Sequence, residues 1–460
     1  MVFSSLTFLF LFFPIALIAY YLAADNIKNY ILLIISLLFY AWGEPRYIFL
    51  MIFSIVVNYF LGLKVDIDSK TNRKMWFTIS IIFNLVLLII FKYADFLFGI
   101  KGIKLPLGIS FYTFQVMSYV IDVYNGDVRA QTRFHDLALY ISLFPQLIAG
   151  PIVRYQTVEK QIDCREHSMD KFAVGVKRFV IGLSKKVILA NQLAVVADGV
   201  FAKDISELAV LESWTGIICY ALQIYFDFSG YSDMAIGLGK MFGFDFPENF
   251  NYPYISQSVS EFWRRWHISL GSWFRDYVYI PLGGNRVSKL KLYRNIFIVW
   301  SLTGLWHGAS WKFVLWGLYY GLFICLEKYI TKDLLQRLPN AVRHIYLLII
   351  MLIGWVFFRT DNISWGLGFV KVMMGIGANP IINNNVLVYL NDYWYIIAAS
   401  IILSTPIIEK LRNISININP TVFKVNLWSV MHGLILIVCM IMVIALLNSY
   451  SYNPFLYFRF

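Results

Sequence analysis

Two histidines in this 460-residue chain lie in settings that could support chemistry. His307 stands within an apolar and aromatic run, residues 296–324, that is long enough to cross a bilayer. An ionisable side chain at membrane depth is costly, so it usually faces a protein interior or a wet cavity and functions there. His307 could take the proton of a hydroxyl so that the oxygen attacks an acyl carbon. The structural alternative is a histidine hydrogen-bonded between helices, and the neighbouring Trp306 could likewise wall a pocket or simply pack.

His267 lies in the segment 261–276, which is rich in tryptophan, arginine and serine. Arg264 and Arg265, flanked by tryptophans, are typical of an interfacial helix whose arginines reach lipid phosphates. That interpretation accounts less well for the histidine that follows them. Asp276 could orient a histidine or pair with Arg275, and the sequence favours the pairing.

The composition indicates what kind of fold must position these residues. The chain is 59% hydrophobic and 14% charged, whereas soluble domains carry about 25% charged residues. Continuous apolar runs predict membrane-spanning helices rather than a barrel. We therefore predict an all-α polytopic membrane protein with a single domain, residues 1–460. The candidate spans are 3–23, 30–42, 47–63, 75–91, 137–149, 172–196, 214–226, 296–326, 345–358, 393–408 and 427–447.

Basic residues indicate the orientation of the chain. The net charge of +12 gathers in the segments 64–74, 165–186 and 264–294, which the positive-inside rule predicts to be cytoplasmic loops. No nucleic-acid-binding module is visible, so a nucleic-acid partner is not expected. His267 should lie near the cytoplasmic face and His307 deeper. Several spans are short, which predicts broken or re-entrant helices near Pro106, Gly108 and residues 149–151.

Other familiar chemical motifs are absent from the sequence. It has no Gly-x-Ser-x-Gly elbow, no zinc-protease motif and no P-loop, and its four cysteines show neither metal spacing nor a disulfide framework. Asp227, beside an apolar run, could be a buried helix partner or part of a polar site, and the sequence favours the partner. A base without an obvious covalent nucleophile fits direct transfer between two substrates bound together.

Seven blocks are individually modest but specific in their order and joint presence. They are LPLGISFYTFQ (105–115), LIAGPIVR (147–154), YFDFSGYSDMA (225–235), EFWRRWH (261–267), WFRDYVYIPLGGNR (273–286), GLWHGASW (304–311) and NPFLYFRF (453–460). On these blocks the chain resembles the membrane-bound O-acyltransferase family, and within it the bacterial alginate O-acetyltransferase branch. The resemblance covers nearly the whole chain.

The resemblance implies a ring of tilted helices around a central funnel or tunnel, with about 10–12 membrane helices plus re-entrant and interfacial helices. It implies that His307 is the catalytic histidine and that His267 is the second signature position. Members move an acyl group from a thioester donor to a hydroxyl. In this branch an acetyl group crosses the inner membrane toward an exopolysaccharide, often with an extracytoplasmic partner that resembles SGNH hydrolases.

Acetyl-CoA is the donor that this reading favours, as a substrate rather than a bound cofactor, and no metal is expected. A basic rim formed by Arg264, Arg265 and Arg275 could attract such an anionic donor. Asp276 and Trp306 are candidate supporting residues. The acceptor is expected to be a polysaccharide that arrives from the far side, while membrane lipid surrounds the protein.

Three alternatives remain open from the sequence. A relative within the family transfers D-alanine from an acyl-carrier protein to teichoic acid. A proton-coupled transporter would use His307 as a relay and should show paired repeats, which are not visible. A scaffold for a polysaccharide synthase would keep its function after His307→Ala.

Overall fold

The computed structural model describes residues 2–67, 70–411 and 427–449, and over these ranges the chain is helical and without β-strands. Seven helical stretches within them are long and apolar enough to cross a membrane. The prediction of an all-α, multi-pass membrane protein is confirmed. The seven candidate spans are Asp25–Gly43, Ile48–Asp66, Asn72–Phe98, Met169–Phe201, Asn340–Arg359, Asn384–Leu403 and Val430–Ser449.

Short helices connect these spans, and π-helical or 3₁₀ turns interrupt some of them. The π-helical turns are Phe8–Phe12, Ile89–Tyr93, Lys185–Ala190 and Arg275–Tyr279, and the 3₁₀ turns are Asp25–Ile27, Ile205–Glu207 and Pro253–Ile255. The α-helices are Phe13–Leu22, Lys28–Gly43, Ile48–Ile67, Lys70–Leu88, Ala94–Phe98, Ile109–Asn125, Phe134–Ser142, Phe144–Leu147, Tyr155–Asp163, Met169–Ser184, Asn191–Phe201, Val210–Met241, Val259–Arg265, Ile268–Phe274, Lys289–His307, Trp311–Tyr329, Lys332–Arg337, Asn340–Arg359, Ile363–Met373, Asn384–Leu403 and Leu427–Ser449.

The described chain divides into two compact units. The first comprises Met1–Phe179, Tyr231–Glu248 and Ser272–Pro281, and the second comprises Val180–Gly230, Asn249–Gly271 and Leu282–Phe460. The single domain expected from the sequence, residues 1–460, stays a prediction.

In the first unit, the helix Ile109–Asn125 begins where the sequence predicts a break. Gly108 precedes it in a left-handed conformation with φ +74°, and a Cβ there would lie 2.8 Å from the carbonyl oxygen of Leu147. Glycine is therefore required on both conformational and steric grounds. The helix that follows is buried along most of its length, including its polar side chains.

In the second unit, the predicted span 296–326 is wrong as a single helix. It is divided into Lys289–His307 and Trp311–Tyr329, because the chain turns to an extended conformation directly after His307. The two helices pack tightly as a hairpin. A Cβ on Gly304 would lie 2.1 Å from the Phe313 carbonyl oxygen, so only glycine allows this approach.

The predicted loop 165–186 is also wrong for most of its length. Helix Met169–Ser184 continues directly into the π-helical turn Lys185–Ala190. Lys186 is buried rather than exposed in a loop, and its Nζ lies 2.7 Å from Asp227 Oδ1 on helix Val210–Met241. The buried partner that the sequence favours for Asp227 is therefore present.

Candidate active site

His307 is the last residue of its helix in the second unit. The backbone leaves the helix at Gly308, whose φ of −175° is extended. The His307 side chain is buried, with 3% of the residue exposed. A histidine at a helix end, against a break, is held by the surrounding helices rather than by its own turn alone.

Aromatic rings surround His307 on several sides. Its ring centroid lies 5.1 Å from that of Trp306, 5.2 Å from Trp316 and 5.4 Å from Phe358, at interplanar angles of 85°, 82° and 81°. Such edge-to-face contacts are favourable and directional. They come from both helices of the hairpin and from helix Asn340–Arg359, so three elements fix the orientation of the imidazole.

His267 lies in a backbone conformation that few residues adopt. Its φ is +46°, and it separates the helices Val259–Arg265 and Ile268–Phe274. A left-handed histidine is uncommon and is held by surrounding structure. The support here is a strand-like contact, in which Phe250 pairs antiparallel with Trp266. Only 2% of His267 is exposed.

Asn249 determines the hydrogen bonding of His267. Asn249 Oδ1 accepts the backbone N–H of Ser269 at 3.2 Å and its hydroxyl at 2.8 Å. Because a backbone N–H can only donate, the amide oxygen must face this side. The same oxygen lies 3.1 Å from His267 Nδ1, so Nδ1 carries the proton and donates. In the neutral ring Nε2 is then the unprotonated nitrogen.

The surroundings keep His267 neutral. Burial lowers the pKa of His267 well below its ordinary value, and the electrostatic interaction with His307 lowers it further. His267 lies outside the seven candidate spans. A neutral imidazole with a fixed tautomer can act as a proton acceptor, which a protonated one cannot.

Trp306 connects the two histidines. Its ring centroid lies 5.6 Å from that of His267 and 5.1 Å from that of His307. The structure therefore brings together three residues that the sequence singled out. Phe228 covers another side of His267, at 4.7 Å and nearly perpendicular.

Glu327 holds the short helix that precedes His267. Its carboxylate accepts the backbone N–H groups of Val259 at 2.6 Å and Ser260 at 3.1 Å. These donors belong to the first turn of helix Val259–Arg265, where an acidic side chain is favourable. Ser258 adds a side-chain cap, since its Oγ accepts from the N–H of Glu261 at 3.1 Å. Glu327 thus fixes the start of the helix that leads to His267.

Arg264 and Arg265, adjacent in sequence, differ in their surroundings. Arg265 is bound to Glu261 at 3.0 Å and donates to the Asn251 carbonyl at 3.2 Å, so much of its hydrogen-bonding capacity is used within the fold. Arg264 is exposed. Of these two, Arg264 is better placed to meet an anion from solvent.

Arg275 and Asp276 belong to the first unit, where the predicted pairing is found. Arg275 Nε lies 2.6 Å from Asp276 Oδ1, and Arg154 Nη2 lies 2.7 Å from Asp276 Oδ2. The two guanidinium groups lower the pKa of Asp276 against the opposing effect of burial. Asp276 therefore acts as an anion between two cations in this unit.

A second carboxylate of the first unit is close to this cluster. The hydroxyl of Tyr277 donates to Asp122 Oδ1 at 2.8 Å, and the Arg154 guanidinium lies 5.0 Å from the Tyr277 ring centre. Burial raises the pKa of Asp122 to about 6, although the Tyr277 hydrogen bond opposes this. Asp122 lies outside the candidate spans.

Asn249 and Glu327 are the site residues that sequence analysis missed. Asn249 lies 18 residues before His267 and Glu327 lies 68 residues after Val259, so neither contact is visible as a local pattern. Glu327 offered a signal, since it is an acid close to a long apolar run. Over the described residues, no group of three or more His, Cys, Asp or Glu could hold a metal ion.

The model of the membrane-bound O-acyltransferase family matches residues 129–360, which include both histidines. The chain belongs to the membrane-bound O-acyltransferase family. It is thus a membrane O-acyltransferase, and the predicted family resemblance is confirmed.

Curated relatives within this O-acyltransferase family extend the comparison. The chain is 44% identical to the "Probable alginate O-acetylase AlgI" of Pseudomonas aeruginosa over 395 residues, which is 82% of this chain and 76% of that protein. It is 35% identical to the "Peptidoglycan O-acetyltransferase" of Helicobacter pylori over 425 residues, 82% of this chain and 80% of that protein. The "Teichoic acid D-alanyltransferase" of Bacillus subtilis is 30% identical over 240 residues, only 49% of this chain and 60% of that protein.

Proposed function

We propose that this protein transfers acetyl groups from acetyl-CoA for the O-acetylation of an extracellular or cell-wall polysaccharide. The reaction takes place in the inner membrane of a bacterial cell, and an extracytoplasmic partner resembling SGNH hydrolases completes transfer to the sugar. The observation that carries the proposal is that two buried histidines, His267 and His307, both contact the ring of Trp306. The relatives that match most of the chain are named as an O-acetylase and an O-acetyltransferase.

The chemistry assigned to the histidines follows from their surroundings. His307 takes the proton of the acceptor hydroxyl, whose oxygen attacks the acetyl carbonyl carbon as the thioester C–S bond breaks. His307 then passes this proton to the departing thiolate, so that CoA leaves as the thiol and the neutral base is restored. His267 is oriented by Asn249 and stays neutral. It therefore places no second positive charge near His307 when His307 is protonated.

The first test is acetyl transfer from radiolabelled acetyl-CoA by purified, reconstituted protein, with partner and candidate glycan supplied. Loss of the general base in His307→Ala should lower the rate about 10²–10⁴-fold. The control is Trp311→Phe, a change in the same aromatic segment at an exposed position four residues after His307. This variant should keep most of the activity. Equal rates for wild type and His307→Ala would contradict the role of His307.

Donor recognition is tested separately. Arg264→Gln should raise the KM for acetyl-CoA because Arg264 is exposed, while Arg265→Gln should mainly reduce stability because Arg265 holds Glu261 and Asn251. Unchanged donor KM in Arg264→Gln would count against this part of the rim.

The teichoic acid enzyme of Bacillus subtilis supports one competing donor. A D-alanyl carrier protein should therefore be offered in place of acetyl-CoA in the same assay. Transfer of D-alanine with none of acetyl would replace the proposed function by D-alanylation. The shorter match to that relative is why acetyl transfer is preferred.

A further inference from the structure

A cavity of about 420 Å³ lies in the second unit, and none of the histidine-site residues described above lines it. Its walls come from three stretches that are each candidate membrane spans, Met169–Phe201, Asn384–Leu403 and Val430–Ser449. The volume lies within the roughly 300–1,000 Å³ typical of ligand pockets. Because all three walls belong to candidate spans, a molecule entering between them comes from the membrane.

The lining has one helix face that combines apolar and polar groups. Val187, Asn191, Val195 and Asp198 follow one another at intervals of four, four and three residues, so they share one side of the helical stretch. From 187 to 198 this side extends about 16 Å at the helical rise. Gln192 adds a further polar side chain, and Leu446 and Leu447 supply apolar lining from another stretch. The cavity therefore suits a molecule that presents both apolar and polar groups.

The charged residue of the lining is Asp198, which is paired with Arg359, a residue that does not itself line the cavity. Asp198 lines the cavity, and its Oδ1 lies 2.7 Å from Arg359 Nη2. Both side chains are partly exposed, at 28% and 21%. Tyr393 adds a hydroxyl-bearing side chain to the lining. A carboxylate beside a guanidinium complements a headgroup that holds an ammonium and a phosphate together.

We propose that this cavity binds a membrane phospholipid, phosphatidylethanolamine, with one acyl chain along Val195 and Leu446. Its ammonium lies at Asp198 and its phosphate at Arg359. The lipid acts as a structural ligand and takes no part in acyl transfer.

The site is connected to the histidines through one helix end. Arg359 follows Phe358, whose ring lies 5.4 Å from the ring of His307. A lipid that holds Arg359 therefore supports the turn that packs against His307. This connection rests on the proposed function, whereas binding of the lipid does not.

Binding is tested with phosphatidylethanolamine that carries a photoreactive diazirine on one acyl chain, added to the purified full chain in detergent. Crosslinked peptides are identified by mass spectrometry. Val195→Trp and Leu446→Trp fill the cavity from two different walls. Ile437→Trp is the control, since Ile437 is 59% exposed on the same helical stretch as Leu446 and does not line the cavity.

We expect label near residues 187–198 and 446–447, and loss of most of it in both filled variants but not in the control. Unlabelled phosphatidylethanolamine should compete and phosphatidylglycerol should not. Equal labelling of wild type and of filled variants that melt at the wild-type temperature would overturn the site. Equal competition by phosphatidylglycerol would overturn the headgroup assignment.

Activity is measured on the same proteins after the lipid has been removed. Adding back phosphatidylethanolamine should raise the acetyl-transfer rate of wild type and of Ile437→Trp, but not that of Val195→Trp. Binding without any rate change would overturn the connection to His307. If wild type transfers no acetyl group under any condition, the proposed function fails, and the crosslinking result alone decides the lipid site.

Discussion

Two ion pairs of equal length have different surroundings in the two units. Lys186 and Asp227 are 2.7 Å apart in the second unit, and Arg154 and Asp276 are 2.7 Å apart in the first. The side chains of the first pair are 3% and 1% exposed, and those of the second 21% and 23%. Because desolvation decides what an ion pair contributes, equal distances here do not mean equal energies.

The two ion pairs differ in how far their charges are removed from water. Asp227 precedes Phe228, which packs on His267, so this buried ion pair of the second unit lies beside the histidine site. The first unit leaves Asp276 and its two arginines within reach of water. The buried region suits proton transfer by neutral groups, whereas the partly exposed region suits contact with charged solutes.

The largest effect is expected from the buried pair. Lys186→Met or Asp227→Leu alone leaves an uncompensated buried charge and should cost about 3–5 kcal/mol of stability. The double variant removes both charges and should recover most of the loss. Thermal unfolding in detergent measures all four proteins as a double-mutant cycle. If the double variant is as unstable as the single variants, Lys186 and Asp227 stabilise the fold by more than neutralising each other.

Asn249→Ala should have the next largest effect. It leaves the Ser269 N–H and His267 Nδ1–H without their acceptor, at about 1–3 kcal/mol for each buried group. Acetyl transfer should fall because the His267 tautomer is no longer fixed.

Asn249→Asp is the matched control, since it keeps an acceptor oxygen and adds a negative charge. That charge should raise the pKa of His267 from its lowered value and move the low-pH limb of the rate profile to higher pH. An unchanged pH profile in Asn249→Asp would argue that His267 does not titrate in the reaction.

A smaller effect is expected at Asp122 in the first unit. Its folded-state pKa of about 6 lies above its ordinary value of 3.8, so its contribution to stability is present at low pH and is lost as pH rises through 6. Asp122→Asn should flatten the dependence of Tm on pH between 4 and 6. At pH 8 the gain in Tm should be about 2–4 °C for each kcal/mol of stability that is regained, the ratio for a domain of 150–250 residues. Tyr277→Phe removes only the hydroxyl and should lower Tm at pH 8. A Tm for Asp122→Asn that follows the wild-type pH curve would rule out this carboxylate as the source.

The smallest effect is expected for the partly exposed pair, Arg154 and Asp276. Arg154→Gln should cost less than about 1 kcal/mol, because water solvates the groups that it exposes. The same unfolding assay measures it beside Asp227→Leu. If Arg154→Gln and Asp227→Leu lost equal stability, burial would not explain the difference between the two ion pairs.

Local patterns account for much of the fold and for part of the site. Seven of the eleven predicted apolar runs coincide with candidate spans, whereas 3–23, 137–149, 214–226 and 296–326 do not. The charge of Asp276 next to Arg275 predicted their pairing. The histidines stood out because ionisable groups are rare in apolar surroundings. Gly304 and the extended turn at Gly308 were not recognised as a break, since hydropathy continues unchanged across them.

Other features depend on contacts that no local pattern contains. Lys186 resembled a basic loop residue because its partner, Asp227, lies 41 positions away. Asn249 and Glu327 act through backbone N–H groups, which every sequence position offers, so their partners could not be named in advance. The block 453–460, used for the family resemblance, lies outside the described residues.

The left-handed backbone of His267 reverses the usual ranking of substitutions at one position. Glycine, which is unfavourable in helix interiors, fits φ +46° without steric cost. Alanine, the customary replacement, would keep the strain and lose the hydrogen bond to Asn249. A saturation library at codon 267 should therefore rank glycine and asparagine first for abundance in the membrane, while only histidine ranks high for turnover. At position 267 the residues that favour folding would then differ from the residue that favours catalysis.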